Sequence, residues 1–367
     1  MRALLFGTYD TSTHPRVAAI AEGLRACGAE VTECNAPLGL DTAARVDMLA
    51  KPWRAVGLLA RLASRWTTLA RCARRQPRPD VVVVGYLGHF DVHLARALFR
   101  KVPIVLDHLV GASDTGRDRR LNGGARDALL KFIDAAALRA ADVIVVDTDE
   151  HLNALPERHR ARAVVVPVGA PEAWLTAAGS TGPAGDGPLR VVFYGLYTPL
   201  QGTPVIGAAI AKIAGAPVQV TMIGNGQDLA ETRAAAAGSP AVTWIDWVPA
   251  ADLPAIVAGH DVCLGIFGTG PKALRVVPNK VFQGAAAGCA IITSDTAPQR
   301  RALGDDAVLV RPGDPEALAT ALLQLADDRA ELARRRQAAR ELVADRFAPQ
   351  QIVAPLMDRL GSPARAR

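Results

Sequence analysis

The strongest chemical signal in the sequence is a pair of cations beside the start of a helix. Lys280 lies at the start of a small-residue helix expected to begin near Asn279 and end at Gly288, and Arg275 lies between that helix and a strand expected to end at Ile266. Phe267 and Gly268 open the Gly-rich loop between them. The first turn of such a helix leaves backbone N–H groups unpaired and carries the positive end of the helix dipole, so it suits an anion. Lys280 adds a full positive charge there, and Gln283 follows with a carbonyl and an amide that can both hydrogen-bond. The chemistry on offer is the binding of a phosphate or diphosphate. A plainer alternative is that Asn279 only caps the helix.

A second set of residues lies at strand ends in the N-terminal half. Gly7 follows the first strand and allows close approach, and Arg16, near a helix start, suits a phosphate or sits on the surface as an ordinary arginine. His89 and Asp91 belong to the run GYLGHFD, Asp107 and His108 end another strand, and Asp114 lies in the loop after it. Asp147, Thr148 and Glu150 end the next strand. A carboxylate in such a place can orient a hydroxyl, whereas Thr148 reads as a helix cap.

The elements that position these residues follow from apolar runs alternating with helical patterns. Ala3–Phe6, Val81–Val84, Ile104–Leu106, Val143–Val146 and Val164–Val166 are strands by length and composition, and Val17–Cys27 is a helix closed by Gly28. Residues 177–188, AAGSTGPAGDGP, read as a linker. The pattern restarts with Arg190–Tyr194, Gln219–Ile223, Val262–Ile266, Ala290–Thr293 and Ala307–Val310, then helices over Pro315–Asp327 and Ala330–Asp345. Strand, helix, strand predicts an α/β chain of two Rossmann-like, doubly wound parallel-sheet domains. These are residues 1–180, residues 181–345, and a last helix over 346–367 packing back toward the first domain. Ligands of such sheets lie beyond the carboxyl ends of the strands, so two facing sheets would enclose a cleft.

Composition bounds the function. A chain of 367 residues suits two domains, and 50% hydrophobic with 21% charged residues excludes a disordered chain or a coiled coil. The 32 Gly and 25 Pro have no period, which excludes collagen, and 5% aromatics argue against a base-stacking nucleic-acid binder. The net charge of +6 fits either a preference for anions or the codon bias of a GC-rich genome. Five cysteines without metal spacing or a CxxC pair point to a reducing compartment. No apolar run reaches membrane-spanning length and MRALLFG does not read as a signal peptide, so a cytoplasmic protein is expected. Over Met48–Arg75, Trp53, Val56, Leu59, Leu62, Trp66 and Leu69 recur at helical spacing opposite Lys51, Arg54, Arg61 and Arg65. That pattern fits peripheral contact with an anionic membrane face, or an ordinary amphipathic helix with a solvated basic side.

The segment Asp261 to Asp295, DVCLGIFGTGPKALRVVPNKVFQGAAAGCAIITSD, resembles the nucleotide-sugar half of the GT-B glycosyltransferases, specifically the retaining family 4. That family carries an acidic residue, seven others and a Glu, then a small-residue helix ending in Gly. Here Arg275, Gln283 and Gly288 keep the spacing and replace both acids. Phe193-Tyr194-Gly195 through Gly202 resembles the first C-terminal strand and phosphate loop, and Met222–Gly226 with Gly224 the second. Trp247-Val248-Pro249 resembles the loop framing the base, and Ala258–Cys263 the strand after it. FGTYDTSTHPRVAAIAEGLRACGAEV, Gly85–Asp91, Val105–Asp107 and Asp142–Thr148 resemble the N-terminal half, so the resemblance spans nearly the whole chain.

The resemblance implies a hexosyltransferase-type glycosyltransferase moving a sugar from a nucleoside diphosphate sugar to an acceptor hydroxyl, with retention. Gly195, Gln201, Gly224, Trp247, Val248, Phe267, Gly268, Asn279 and Gln283 would hold the donor, with Gln283 at the ribose and Gln201 where the family has a lysine. Arg275 and Lys280 would supply the missing cations and stabilise the departing diphosphate. His89 falls where the family often has a histidine facing the donor sugar, Asp107 or Asp114 would orient the acceptor hydroxyl, and Gly7, Arg16 and Asp114 would line the acceptor site. No cofactor and no metal is expected, since the cations do that work and no Asp-x-Asp motif stands in the expected place. The partners implied are a nucleotide sugar and a glycan, lipid-linked or small-molecule acceptor, with no nucleic acid. Two other functions share the fold: a sugar-nucleotide epimerase, and a non-catalytic nucleotide-sugar-binding partner of another transferase.

Overall fold

Apolar runs too short for a helix and buried on both faces become parallel strands, and two sheets result. The computed structural model describes residues 1–10, 15–39, 52–109, 111, 124–178 and 187–361. The first sheet holds β1 (Arg2–Gly7), β2 (Glu30–Asn35), β3 (Val81–Val84), β4 (Ile104–Asp107), β5 (Val143–Val146) and β6 (Ala163–Val165). Its order is β2-β1-β3-β4-β5-β6, and every pair is parallel. The second holds β7 (Leu189–Tyr194), β8 (Val218–Ile223), β9 (Val242–Ile245), β10 (Val262–Leu264), β11 (Ala290–Ser294) and β12 (Val308–Val310). Its order is β12-β11-β10-β7-β8-β9, again parallel throughout. The strand order reverses between β1 and β3 in the first sheet and between β7 and β10 in the second, and such switch points are where ligands of these sheets bind. The expected α/β architecture of two parallel sheets is the one observed.

Two strands escaped the sequence reading. β2 and β9 are edge strands, and EVTECN and VTWI mix polar with apolar residues because neither is buried along its whole length. The central strand β3, four buried valines, shows the contrast.

The chain divides into two compact units, residues 1–167 with 352–367, and residues 168–351. The second unit therefore begins before the Gly/Pro-rich run that suggested a boundary at 180. The reason is the short helix Glu172–Ala177, whose Trp174 stacks on Tyr194 of β7 with ring centroids 5.7 Å apart.

The basic helix spans Pro52–Arg75. Leu62 and Leu69 are buried, and Trp66 packs against the core of the first unit while its indole Nε1 donates to Asp91 Oδ1 at 2.8 Å. From Leu62 onward the apolar stripe is thus core rather than a free membrane face; Arg61 and Arg65 are exposed, as is Leu59. Lys51 and the side chains of Trp53, Arg54 and Val56 lie outside the described residues. No helix among the described residues is long and apolar enough to cross a membrane.

The cysteines correct another expectation. Cys34 of β2 and Cys72 of the basic helix form a disulfide, while Cys27, Cys263 and Cys289 are free. The pair is 38 positions apart in sequence, so spacing could not reveal it; packing of the helix beside the edge strand brings the Cα atoms to 5.7 Å, within disulfide reach. The spacing argument for a reducing compartment falls with it.

Candidate functional site

In the second unit the switch point between β7 and β10 carries the cation. The helix Asn279–Ala286 follows a 3₁₀ turn at Ala273–Arg275. Pro278 holds the N-cap position and no side chain caps the helix, so Asn279 is its first residue and not its cap. Lys280, on the first turn, is 5% exposed and its Nζ donates to Gln201 Oε1 at 2.5 Å. The ammonium also lies 3.7 Å from the centroid of the Phe193 ring and 5.9 Å from that of Tyr194, an arrangement that stabilises a cation through the ring faces. No carboxylate among the described residues pairs with it. Burial pushes the Lys280 ammonium down to about 7, opposed by the neighbouring Cys263, whose own thiol is pushed up to about 12 by burial.

Glycines bring the strand-end loops together around this lysine. A Cβ on Gly195 would lie 3.1 Å from Lys280 Nζ, so the missing side chain leaves room beside the ammonium. Gly224, at φ +120°, rests against the Gly195 carbonyl, where a Cβ would come within 2.0 Å of the oxygen. Gly268 packs on the Pro199 carbonyl, and Phe267 N donates to the Gln201 carbonyl at 2.9 Å. The loops after β7, β8 and β10 therefore form one assembly, with Gln201 tied to both Phe267 and Lys280.

Gln283 lies one turn beyond Lys280 and is buried; its Oε1 accepts a hydrogen bond from the Tyr194 hydroxyl at 2.9 Å. Arg275 is half-buried and its Nε donates to the Pro271 carbonyl of its own loop at 3.1 Å. Trp247 is 71% exposed and Val248 half-buried, on the loop after β9.

In the first unit the strand ends carry a buried polar network. Arg16 is 1% exposed, not a surface residue: its Nε donates to Asp107 Oδ1 at 2.8 Å and its Nη2 to the Val166 carbonyl at 2.9 Å. Arg16 Nη1 and Asp107 Oδ2 have no partner among the described residues. Burial raises the Asp107 carboxyl, against the opposing pull of Arg16, and Asp147 adds to the rise. His89 Nε2 lies 3.1 Å from Asp134 Oδ1, and its ring meets that of His108 edge-on, centroids 5.4 Å apart. Burial and the facing His89 push His108 down to about 4. Asp91 is a fastener: its Oδ2 accepts from both the backbone N and the hydroxyl of Thr8 at 2.8 Å. The room beside Gly7 is taken by the chain's own Tyr9, whose hydroxyl donates to Glu33 Oε1 at 2.7 Å. Thr148 does cap the following helix, accepting from His151 N at 3.2 Å. Asp114 lies outside the described residues.

The structure brings together Lys280, Gln201 and Gly195 in one group, and Arg16 with Asp107 in another. Sequence reasoning gave no role to Phe193, Tyr194, Trp174, Tyr9 or Asp134. Tyr194 carried a usable signal, since a hydroxyl at the buried end of a central strand must find a partner.

Residues 188–328, which hold the Lys280 group, match the family described as Glycosyl transferases group 1. No curated protein sequence matches the chain. Among solved structures, sucrose-phosphate synthase from Thermosynechococcus elongatus is similar at a TM-score of 0.69 and 16% identity, over 98% of each chain. Anabaena HepE in complex with UDP and glucose is similar at 0.69 and 14%, over 99% of this chain and 100% of that one. The UDP-forming α,α-trehalose-phosphate synthase of Burkholderia vietnamiensis is similar at 0.68 and 14%, over 100% of this chain and 97% of that one. The fold is that of the GT-B glycosyltransferases.

Proposed function

We propose that this protein is a glycosyltransferase that moves a sugar from a nucleoside diphosphate sugar to an acceptor hydroxyl. The observation that carries the reading is Lys280, a buried ammonium without a carboxylate partner among the described residues, at the switch point of a sheet inside the matched residues. A buried charge is costly unless compensated, and a diphosphate is the counter-ion such a site accommodates. As the anomeric bond breaks, negative charge grows on the departing diphosphate, where Lys280 and the uncapped N–H groups of its helix stabilise it. Because these groups neutralise the charge, the reaction proceeds without a metal, and activity survives a chelator. Retention, with the acceptor hydroxyl attacking on the face that the diphosphate leaves, follows the family 4 resemblance. Asp107 serves the acceptor hydroxyl, with Arg16 holding it in place, and His89 faces the donor sugar. Peripheral membrane contact rests on the N-terminal half of the basic helix, where Leu59 is exposed.

HepE binds UDP and glucose, and the trehalose-phosphate synthase forms UDP, so UDP-sugars head the donor screen. Thermal shift with a panel of nucleotide sugars tests the proposal: a donor present at about 100 times its dissociation constant stabilises by about 2.7 kcal/mol. Product analysis with the stabilising donor then separates transfer from epimerisation. A panel that stabilises nothing defeats the proposal.

A further inference from the structure

The loop after β1 is held from two elements, and a disulfide joins those two elements. Tyr9 of the loop donates from its hydroxyl to Glu33 Oε1 of β2 at 2.7 Å. Asp91 Oδ2 accepts from the backbone N and the hydroxyl of Thr8, and Asp91 Oδ1 accepts from the indole of Trp66 on the helix Pro52–Arg75. Cys34, next to Glu33 on β2, is bonded to Cys72, further along the helix than Trp66. The two cysteines differ in access: Cys34 is 0% exposed, whereas Cys72 is half-buried. Arg71, Arg74 and Arg75, close to Cys72 in the chain, are exposed. Thiol–disulfide exchange proceeds at the sulfur that a thiolate can reach, and positive charge nearby favours an anionic attacker.

We propose that Cys72 is a thiol-exchange site at which a small anionic thiol opens the Cys34–Cys72 disulfide, and that this opening loosens the loop after β1 through Trp66 and Asp91. The attacking thiolate bonds to Cys72 Sγ as the Cys34–Cys72 bond breaks; the electron pair leaves on Cys34 Sγ, which takes a proton from water. A second thiol then attacks the sulfur of the first, forming the small-molecule disulfide and returning Cys72 as a thiol. Two thiols are thus oxidised as one disulfide is reduced. The helix keeps its buried Leu62 and Leu69 but loses its covalent tie to β2, so it opens locally at lower cost. Each opening takes the Trp66 indole away from Asp91, the residue that fastens Thr8. The inference is independent of the glycosyltransferase reading.

Glutathione, from fully oxidised to fully reduced, is the probe, and thermal unfolding checks that each variant is folded. Peptide mapping of Cys34→Ser treated with oxidised glutathione finds the mixed disulfide on Cys72, and the same treatment of Cys72→Ser leaves the buried Cys34 unmodified. In the unaltered protein, reduction quickens hydrogen exchange at the Thr8 amide and along residues 62–72 about tenfold, while β7 of the second unit is unchanged. In Trp66→Phe, which keeps an aromatic ring without the N–H, the Thr8 amide exchanges fast in both redox states and its response to reduction is lost. Glutathione on Cys34 rather than Cys72, or a disulfide that glutathione leaves intact in the folded protein, overturns the exchange site. Thr8 exchange that ignores reduction, or that responds equally in Trp66→Phe, overturns the coupling.

Discussion

The ammonium of Lys280 and the side-chain carbonyl of Gln201 meet at 2.5 Å across 79 positions of sequence. Gln201 stands where the resemblance puts a loop lysine, and here the cation reaches that place from the helix Asn279–Ala286. Carbonyl oxygen and aromatic ring support the protonated form without neutralising it.

Removing that charge separates binding from stability. Lys280→Met abolishes nucleotide-induced stabilisation. It also raises the stability of the ligand-free protein by about 1–4 kcal/mol, the range seen when buried charges give way to apolar side chains. Chemical denaturation with and without nucleotide measures both. A variant that is destabilised and still responds to nucleotide contradicts the assignment.

The same lysine makes binding pH-dependent. Its proton-binding strength in the fold, about 7, lies below the 10.5 of the free side chain. Between these values the unfolded chain holds the proton and the native protein releases it, so ligand-free stability rises with pH across that window. A diphosphate needs the charged form, so nucleotide-sugar affinity falls as pH rises above about 7, toward tenfold per unit. Calorimetry from pH 6.5 to 9 shows this slope, and in Lys280→Met it is absent.

Arg16 and Asp107 are expected to behave as a buried pair. Arg16→Ala leaves the Asp107 carboxylate uncompensated and costs about 3–5 kcal/mol. Urea denaturation reads the loss, and a change below 1 kcal/mol would place Arg16 in solvent, contrary to the structure.

The disulfide offers a check independent of any ligand. Reduction, or Cys72→Ser, lowers stability by about 2–4 kcal/mol, as expected when a loop closed by a cross-link is released. Peptide mapping without reductant recovers Cys34 joined to Cys72; recovery of two alkylated cysteines refutes the link.

The helix Pro52–Arg75 divides along its length. Trp66→Ala loses core packing and the bond to Asp91 and destabilises the first unit, whereas Leu59→Asp leaves stability within about 0.5 kcal/mol and affects only vesicle binding. Co-sedimentation with anionic vesicles and thermal unfolding read the two effects separately.

What could be read from the sequence follows from where the information lies. Val81–Val84 announced a central strand because burial on both faces forces an unbroken apolar run. Edge strands β2 and β9 face water in part and lose that signature. The Lys280 helix was legible because its loop, cations and small residues are contiguous. Its partners were not: Gln201 is 79 positions away, and Arg16 is 91 from Asp107. Arg16 illustrates the cost of that distance, since a lone arginine near a helix start resembles a phosphate ligand until its buried carboxylate is seen.

The membership of residues 352–367 in the first unit bears on the order in which the protein matures. Ile352, Val353 and Leu356 are buried, and Arg359 Nη2 donates to the Ala161 carbonyl at 2.8 Å. A ribosome delivers all of β1–β6 before any of these residues exists. The unit whose strands are translated first therefore receives its last segment only after all of residues 168–351 have been made.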